Sequence, residues 1–199
     1  TILNLVSGLL HPNSGTLSFP GLKDKRVGFM PQNDLLLPWR TVVDNACLPL
    51  EIRGVPKADA RRKALEMMDM FGLAGFEHSY PAQLSGGMKQ RVAMLRTFLH
   101  QGNILLLDEP FGKLDALTRT NLQAWLLSVW EEFRQSVLFV THDIEEAVFL
   151  ADRVYLMSDR PGTIKTEVVV DLPRPRTADM ITASEFVEKK KQIRKLLEN

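Results

Sequence analysis

The stretch Ile104-Leu105-Leu106-Leu107-Asp108 stays apolar until its last residue and is followed at once by Glu109 and Pro110; no other segment restricts the chain as much. A strand that is apolar at every position is buried on both faces, which suits the middle of a parallel sheet covered by helices. Two adjacent carboxylates at the end of such a strand can hold a metal ion and a water. Shortly before it comes Leu84-Ser85-Gly86-Gly87-Met88-Lys89-Gln90-Arg91, a small-residue turn opening a helix. Helix N-termini offer free N–H groups and the positive end of a dipole to anions, and glycines let the backbone approach a phosphate without a side chain in the way.

The remaining pattern agrees with an α/β chain. Short apolar or alternating runs predict strands over residues 16–19, 26–30, 104–108, 137–141, 153–157 and 164–171. Helical patterns lie over 1–10, 119–133 and 144–151, and this alternation predicts a mainly parallel sheet. Residues 41–99 carry no convincing strand. They carry amphipathic helical stretches such as 57–71, with Ala60, Ala64, Leu65, Met68 and Phe71 on one face, punctuated by Pro49, Gly54, Pro56, Gly72, Gly75 and Pro81. After Leu172, Pro173-Arg174-Pro175-Arg176 reads as extended, and a helix is expected over 184–197.

The Ser-Gly-Gly turn and the Asp-Glu strand resemble the signature sequence and Walker B strand of the ATP-binding subunits of ATP-binding cassette (ABC) transporters. Gly28-Phe29-Met30-Pro31-Gln32 resembles the Q-loop of that family, Phe111-Gly112-Lys113-Leu114-Asp115 its D-loop, and Val140-Thr141-His142-Asp143 its switch-histidine segment, all in the family's order. The resemblance implies a P-loop NTPase-like core from residues 1–40 and 100–172, a helical subdomain at 41–99 and a C-terminal extension at 173–199, together one ATPase domain over 1–199. It implies ATP and Mg2+ as cofactors. Asp108 and Gln32 would hold the metal, Glu109 would act as general base, and His142 and Gln32 would contact phosphate, metal and attacking water. Ser85, Gly86 and Gly87 would bind the γ-phosphate of ATP held by a second ATPase subunit in a head-to-tail dimer, with Asp115 crossing the interface.

One motif of that family does not occur here: no Gly-x-x-x-x-Gly-Lys followed by Ser or Thr is found in the sequence. Residues 1–10 resemble the helix directly after that loop, with Thr1 next to the magnesium-binding Ser or Thr. The expectation is a chain incomplete at its N-terminus, from a protein of about 250 residues, and inactive on its own.

Composition closes off other classes. Among 199 residues, 25 Lys and Arg stand against 24 Asp and Glu, so no electrostatic footprint for nucleic acid is present. The single cysteine, Cys47, excludes an internal disulfide and reads as a small buried hydrophobe. No apolar run is long enough to cross a bilayer. The resemblance therefore implies peripheral attachment at the cytoplasmic face of the membrane through transmembrane permease subunits, with an extracytoplasmic solute-binding protein in the same system. Leu37-Pro38-Trp39-Arg40-Thr41 and Ser158-Asp159-Arg160-Pro161-Gly162 resemble the nitrate, sulfonate and taurine importer group, whose relatives also carry thiamine precursors. Residues 33–50 hold Leu35, Leu36, Leu37, Trp39 and Leu48, more apolar surface than a free loop needs, and are expected to dock the permease. Two alternatives are a soluble ABC ATPase outside transport, which would usually carry a coiled-coil insertion or paired cassettes, and a non-catalytic regulatory fragment, against which Glu109 and His142 argue.

Overall fold

In the computed structural model, which describes residues 1–21 and 26–198, the chain divides into two compact units. Residues 1–114 and 133–140 form the first; residues 115–132 and 141–199 form the second.

The first unit is built on a three-stranded parallel sheet of β1 (Val27–Met30), β2 (Ile104–Asp108) and β3 (Ser136–Val140), with β2 in the centre. The register sets Met30 beside Leu107, and Leu107 beside Phe139. Leu105, Leu106 and Leu107 are buried, as a run without polar residues requires. Helices α1 (Ile2–Ser7) and α5 (Gly86–Leu99) pack against β1. A Cβ on Gly28 would meet the Thr97 carbonyl at 2.8 Å, so glycine is what allows α5 to lie this close to the strand.

Between β1 and β2 lie the short helices α2 (Val42–Ala46) and α3 (Leu48–Ile52), then α4 (Lys57–Met68), all packed on α5. Their shared core contains Val42, Val43, Leu50, Phe71 and Leu95, with Phe71 set edge-on to Phe98 at 5.5 Å. The Thr41 side chain accepts from the Asp44 amide and starts α2.

Cys47 is fully buried in this core, as its apolar neighbours in sequence suggest. Burial, helped by Glu51, pushes its thiol up to about 11. Alkylation of Cys47 at pH 8 is expected to be slow in the native protein and fast after denaturation; rapid native labelling, read by intact mass, would contradict this placement.

The second unit contains α6 (Ala116–Phe133, but for its last residue), α7 (Ile144–Leu150), the antiparallel pair β4 (Arg153–Met157) and β5 (Ile164–Val169), and α8 (Ser184–Glu198). Helix α8 packs on α7 and β4. Arg176 is buried: its guanidinium donates to the carbonyls of Val148, Phe149 and Ala151 at the end of α7, and to those of Val170 and Leu172. It thereby satisfies carbonyls that a helix end leaves open. Arg174 lies over the Trp130 ring at 4.3 Å and donates to Asp152 and to the Leu150 carbonyl.

One expectation needs correction. Residues 16–19 form no strand: they run irregularly and are mostly exposed, and a period-two alternation alone does not make a strand. The parallel sheet expected from the alternation of strands and helices is that of the first unit; in the second, β4 and β5 pair antiparallel and, among the described residues, only with each other. The register of that pair is set by a short connection, which favours antiparallel pairing. Among the described residues, no helix is long and apolar enough to cross a membrane.

Candidate functional site

In the first unit, three of the expected residues meet at the ends of adjacent strands. Strand β2 ends at Asp108, and Glu109 follows with φ +45°. A left-handed conformation at a non-glycine residue stores strain of about 1–3 kcal/mol, and its amide is held by the Val140 carbonyl at 2.9 Å. The sequence alone suggests that Asp108 and Glu109 diverge by strand alternation. In the structure the pleat stops at Asp108, and the Glu109 carboxylate is aimed by Gln32, whose Nε2 donates to Oε2 at 2.9 Å. Gln32 and Glu109 lie 77 positions apart, and the parallel pairing of β1 with β2 is what brings them together.

Ser85 caps α5, its side chain accepting from the Met88 amide at 3.2 Å. Ser85 and Gly86 are exposed, so the opening turn of this 14-residue helix faces outward. Further along α5, buried Gln90 donates to the Pro110 carbonyl at 2.7 Å. The signature helix is thus bonded to the residue after Glu109. Gln90 was visible in the motif, but nothing in its sequence position shows which carbonyl it reaches. Thr1 is exposed and precedes α1 without a side-chain cap.

The loop after Gln32 is braced from within. Asn45, fully buried, accepts from the Leu37 amide and donates to the carbonyls of Leu37, Arg40 and Thr41. Arg96 of α5 donates to the carbonyls of Asp34 and Leu35, and Lys113 donates to Asn33. The loop therefore keeps its shape without its large apolar residues. Leu35 is 60% exposed and Trp39 71% exposed, so neither fills the core of this unit.

In the second unit, Asp115 starts the turn that opens α6 and accepts from the Thr118 amide at 3.0 Å. That donor holds its carboxylate below the usual range, which keeps it a fixed anion at the surface. His142 is exposed. It does not cap the next helix; Asp143 does, accepting from the amides of Glu145 and Glu146. Thr141 Oγ1 accepts from the Asp143 amide at 3.0 Å and donates to Glu146 at 2.6 Å. Glu146 is buried, and desolvation pushes its carboxyl upward. Arg119 of α6 lies 3.6 Å from Asp143 and 3.8 Å from Glu146. The sequence reading missed Arg119 and Glu146; only the four-residue step from Asp115 to Arg119 hinted at the link.

Chemically, the strand ends offer oxygen donors suited to a hard divalent cation, namely the Asp108 carboxylate and the amide oxygen of Gln32, since the Gln32 nitrogen is turned to Glu109. Glu109 is a carboxylate oriented by a neighbour, the arrangement that a general base requires. Ser85, Gly86 and the first turn of α5 suit an anion.

Residues 1–112 match the family model described as ABC transporter. An uncharacterized ABC transporter ATP-binding protein of Methanocaldococcus jannaschii is 44% identical over 203 residues, covering 100% of this chain and 75% of that protein. The formylaminopyrimidine import ATP-binding protein of Halalkalibacterium halodurans is 43% identical, covering 99% of this chain and 79% of its own length. The nitrate import ATP-binding protein of a Synechocystis species is 39% identical, covering 99% and 78%. Among solved structures, a dimeric post-hydrolysis ATP-binding cassette bound to ADP and Pi superposes with a TM-score of 0.71 at 29% identity, covering 86% of this chain and 80% of that one.

Proposed function

The chain belongs to the ABC transporter family of ATP-binding proteins, and on that premise we propose how its residues divide the work of an ATP-hydrolysing import subunit. The full-length protein is an ATPase that couples nucleotide turnover to transport through separate membrane subunits, and it works as a dimer. The observation that carries the residue assignment is the hydrogen bond from Gln32 to Glu109.

In this reading Asp108 and Gln32 hold Mg2+, which neutralises phosphate charge when bound. Glu109, strained into place and oriented by Gln32, takes the proton of the attacking water. His142 contacts the γ-phosphate and orients that water. Thr1 adjoins the phosphate-binding residues of its own subunit. Ser85, Gly86 and Gly87 reach the nucleotide of the opposite subunit, and Asp115 meets that subunit as a fixed anion. Phosphoryl transfer needs this positioning and charge neutralisation more than covalent chemistry. Residues 1–40 and 100–172 act as the nucleotide core, 41–99 as the helical lobe and 173–199 as an extension. The subunit sits at the cytoplasmic face of the membrane and is served by a solute-binding protein. Its solute belongs to the group formed by nitrate, taurine, sulfonates and formylaminopyrimidines, which the names of similar import proteins support.

The head-to-tail arrangement is tested by mixing full-length subunits carrying Gly87→Asp with subunits carrying His142→Ala. The mixed dimer has one site with both lesions and one with neither, so it should recover part of the nucleotide-driven closure that both parents lack. A mixed dimer that closes no better than either parent removes this arrangement.

Docking is read at the loop apex. Leu35→Cys and Trp39→Cys, with native Cys47 buried and silent, are expected to cross-link to cytoplasmic loops of the permease in a nucleotide-dependent manner. Failure at every position from 33 to 50, in a complex shown to transport, removes this surface from the mechanism.

A further inference from the structure

Between Asp115 and His142 runs a set of hydrogen bonds and ion pairs that the assigned roles do not use. The Arg119 amide donates to the Asp115 carbonyl at 2.9 Å, so Asp115, directly before α6, is bonded to the first turn of that helix. The Arg119 guanidinium faces two carboxylates, Asp143 and Glu146. Asp143 follows His142 directly, and Glu146 accepts from Thr141, the residue directly before it. The backbone on both sides of His142 is therefore pinned, while the imidazole itself is exposed.

Glu146 is only 4% exposed. Placing a carboxylate there costs desolvation that an apolar side chain of similar volume would avoid. The Lys190 ammonium of α8 is paired with Glu145 and not with Glu146. The surroundings of Glu146 include Thr141 and Asp143, on the short segment that carries His142, and Arg119 and Gln123, both on α6, so Glu146 joins that segment to the helix that follows Asp115.

We propose that Arg119 and Glu146 are positioning residues for His142, fixing the segment 141–143 and tying it to the turn that carries Asp115. A displacement of Asp115 on contact with the second subunit then reaches His142 through one arginine. The inference rests on the roles given above to His142 and Asp115.

The test compares steady-state ATP hydrolysis by the full-length subunit, assembled with its membrane partners, for Arg119→Lys, Glu146→Ala, His142→Ala and the pair Glu146→Ala with His142→Ala. Arg119→Lys keeps the charge but not the fork that spans two carboxylates. Loss of positioning should lower kcat by about tenfold to a hundredfold, the scale of small misplacements of a catalytic group, with KM for ATP changed less than about twofold. Because the loss passes through His142, the double variant should be no slower than His142→Ala alone, within about twofold. A purely structural role predicts losses that multiply, and that result overturns the proposal, as does unchanged kcat in Arg119→Lys and Glu146→Ala. Should Glu146→Ala fail to fold, Arg119→Lys paired with His142→Ala gives the same comparison. Normal turnover in His142→Ala would instead bring down the role of His142 itself, and the positioning inference with it.

Discussion

Glu109→Gln in the full-length protein should bind ATP normally and turn it over about 100-fold more slowly or worse, the scale of a lost general base, or about 2.7 kcal/mol in the barrier. The structure makes this a narrow test. Gln32 donates to the Glu109 side chain through its Nε2, and an amide oxygen at the same place can still accept that bond. The Glu109 backbone N–H donates to the Val140 carbonyl at this left-handed position, a hydrogen bond that the substitution leaves in place. The substitution therefore removes the proton acceptor while leaving the shape of the strand end. Single-turnover hydrolysis at saturating ATP is the measurement, and a rate near that of the parent would disprove the assignment.

The largest stability effect is expected at Arg176. Its side chain is 1% exposed, and its guanidinium serves five carbonyl oxygens, three of them from the last turn of α7 and its cap. Arg176→Met fills much of the volume but strands those acceptors in a buried place, which should cost about 3 kcal/mol or more. Arg174 is the internal control. It stacks on Trp130 and bonds Asp152 at a more open site, so Arg174→Ala should cost about 1 kcal/mol. Urea unfolding of the full-length variants separates the two, and equal midpoints would show that Arg176 is not the keystone of this segment.

Much of this is legible in the sequence. The buried strand Ile104–Asp108 could be read from its lack of polar residues, and the helical stretch before it from its spacing and its Gly and Pro punctuation. What the sequence could not show is where local pattern needs a distant partner. Residues 16–19 alternate as a strand does, but alternation is local and strand pairing is not, and they take no strand conformation. The arginines illustrate the same limit. Arg96, Arg119 and Arg176 read as ordinary charged positions, since a long side chain gives no sign of which carbonyl or carboxylate it will meet. The candidate site residues stand in motifs, and so does Gln90, but the carbonyl it reaches, and the supports Arg119 and Glu146, show only in the three-dimensional neighbourhood.

The buried amide of Asn45 bears on how such a subunit can change partners over time. Because that one side chain and Arg96 hold the loop after Gln32 from beneath, the residues at its tip carry little of the fold's stability. Positions 35 and 39 can then drift, or be exchanged by recombination between paralogues, without a penalty in folding. If this tip is the docking surface proposed above, a new membrane counterpart can be fitted by substitutions there, on a loop whose geometry is held from the interior.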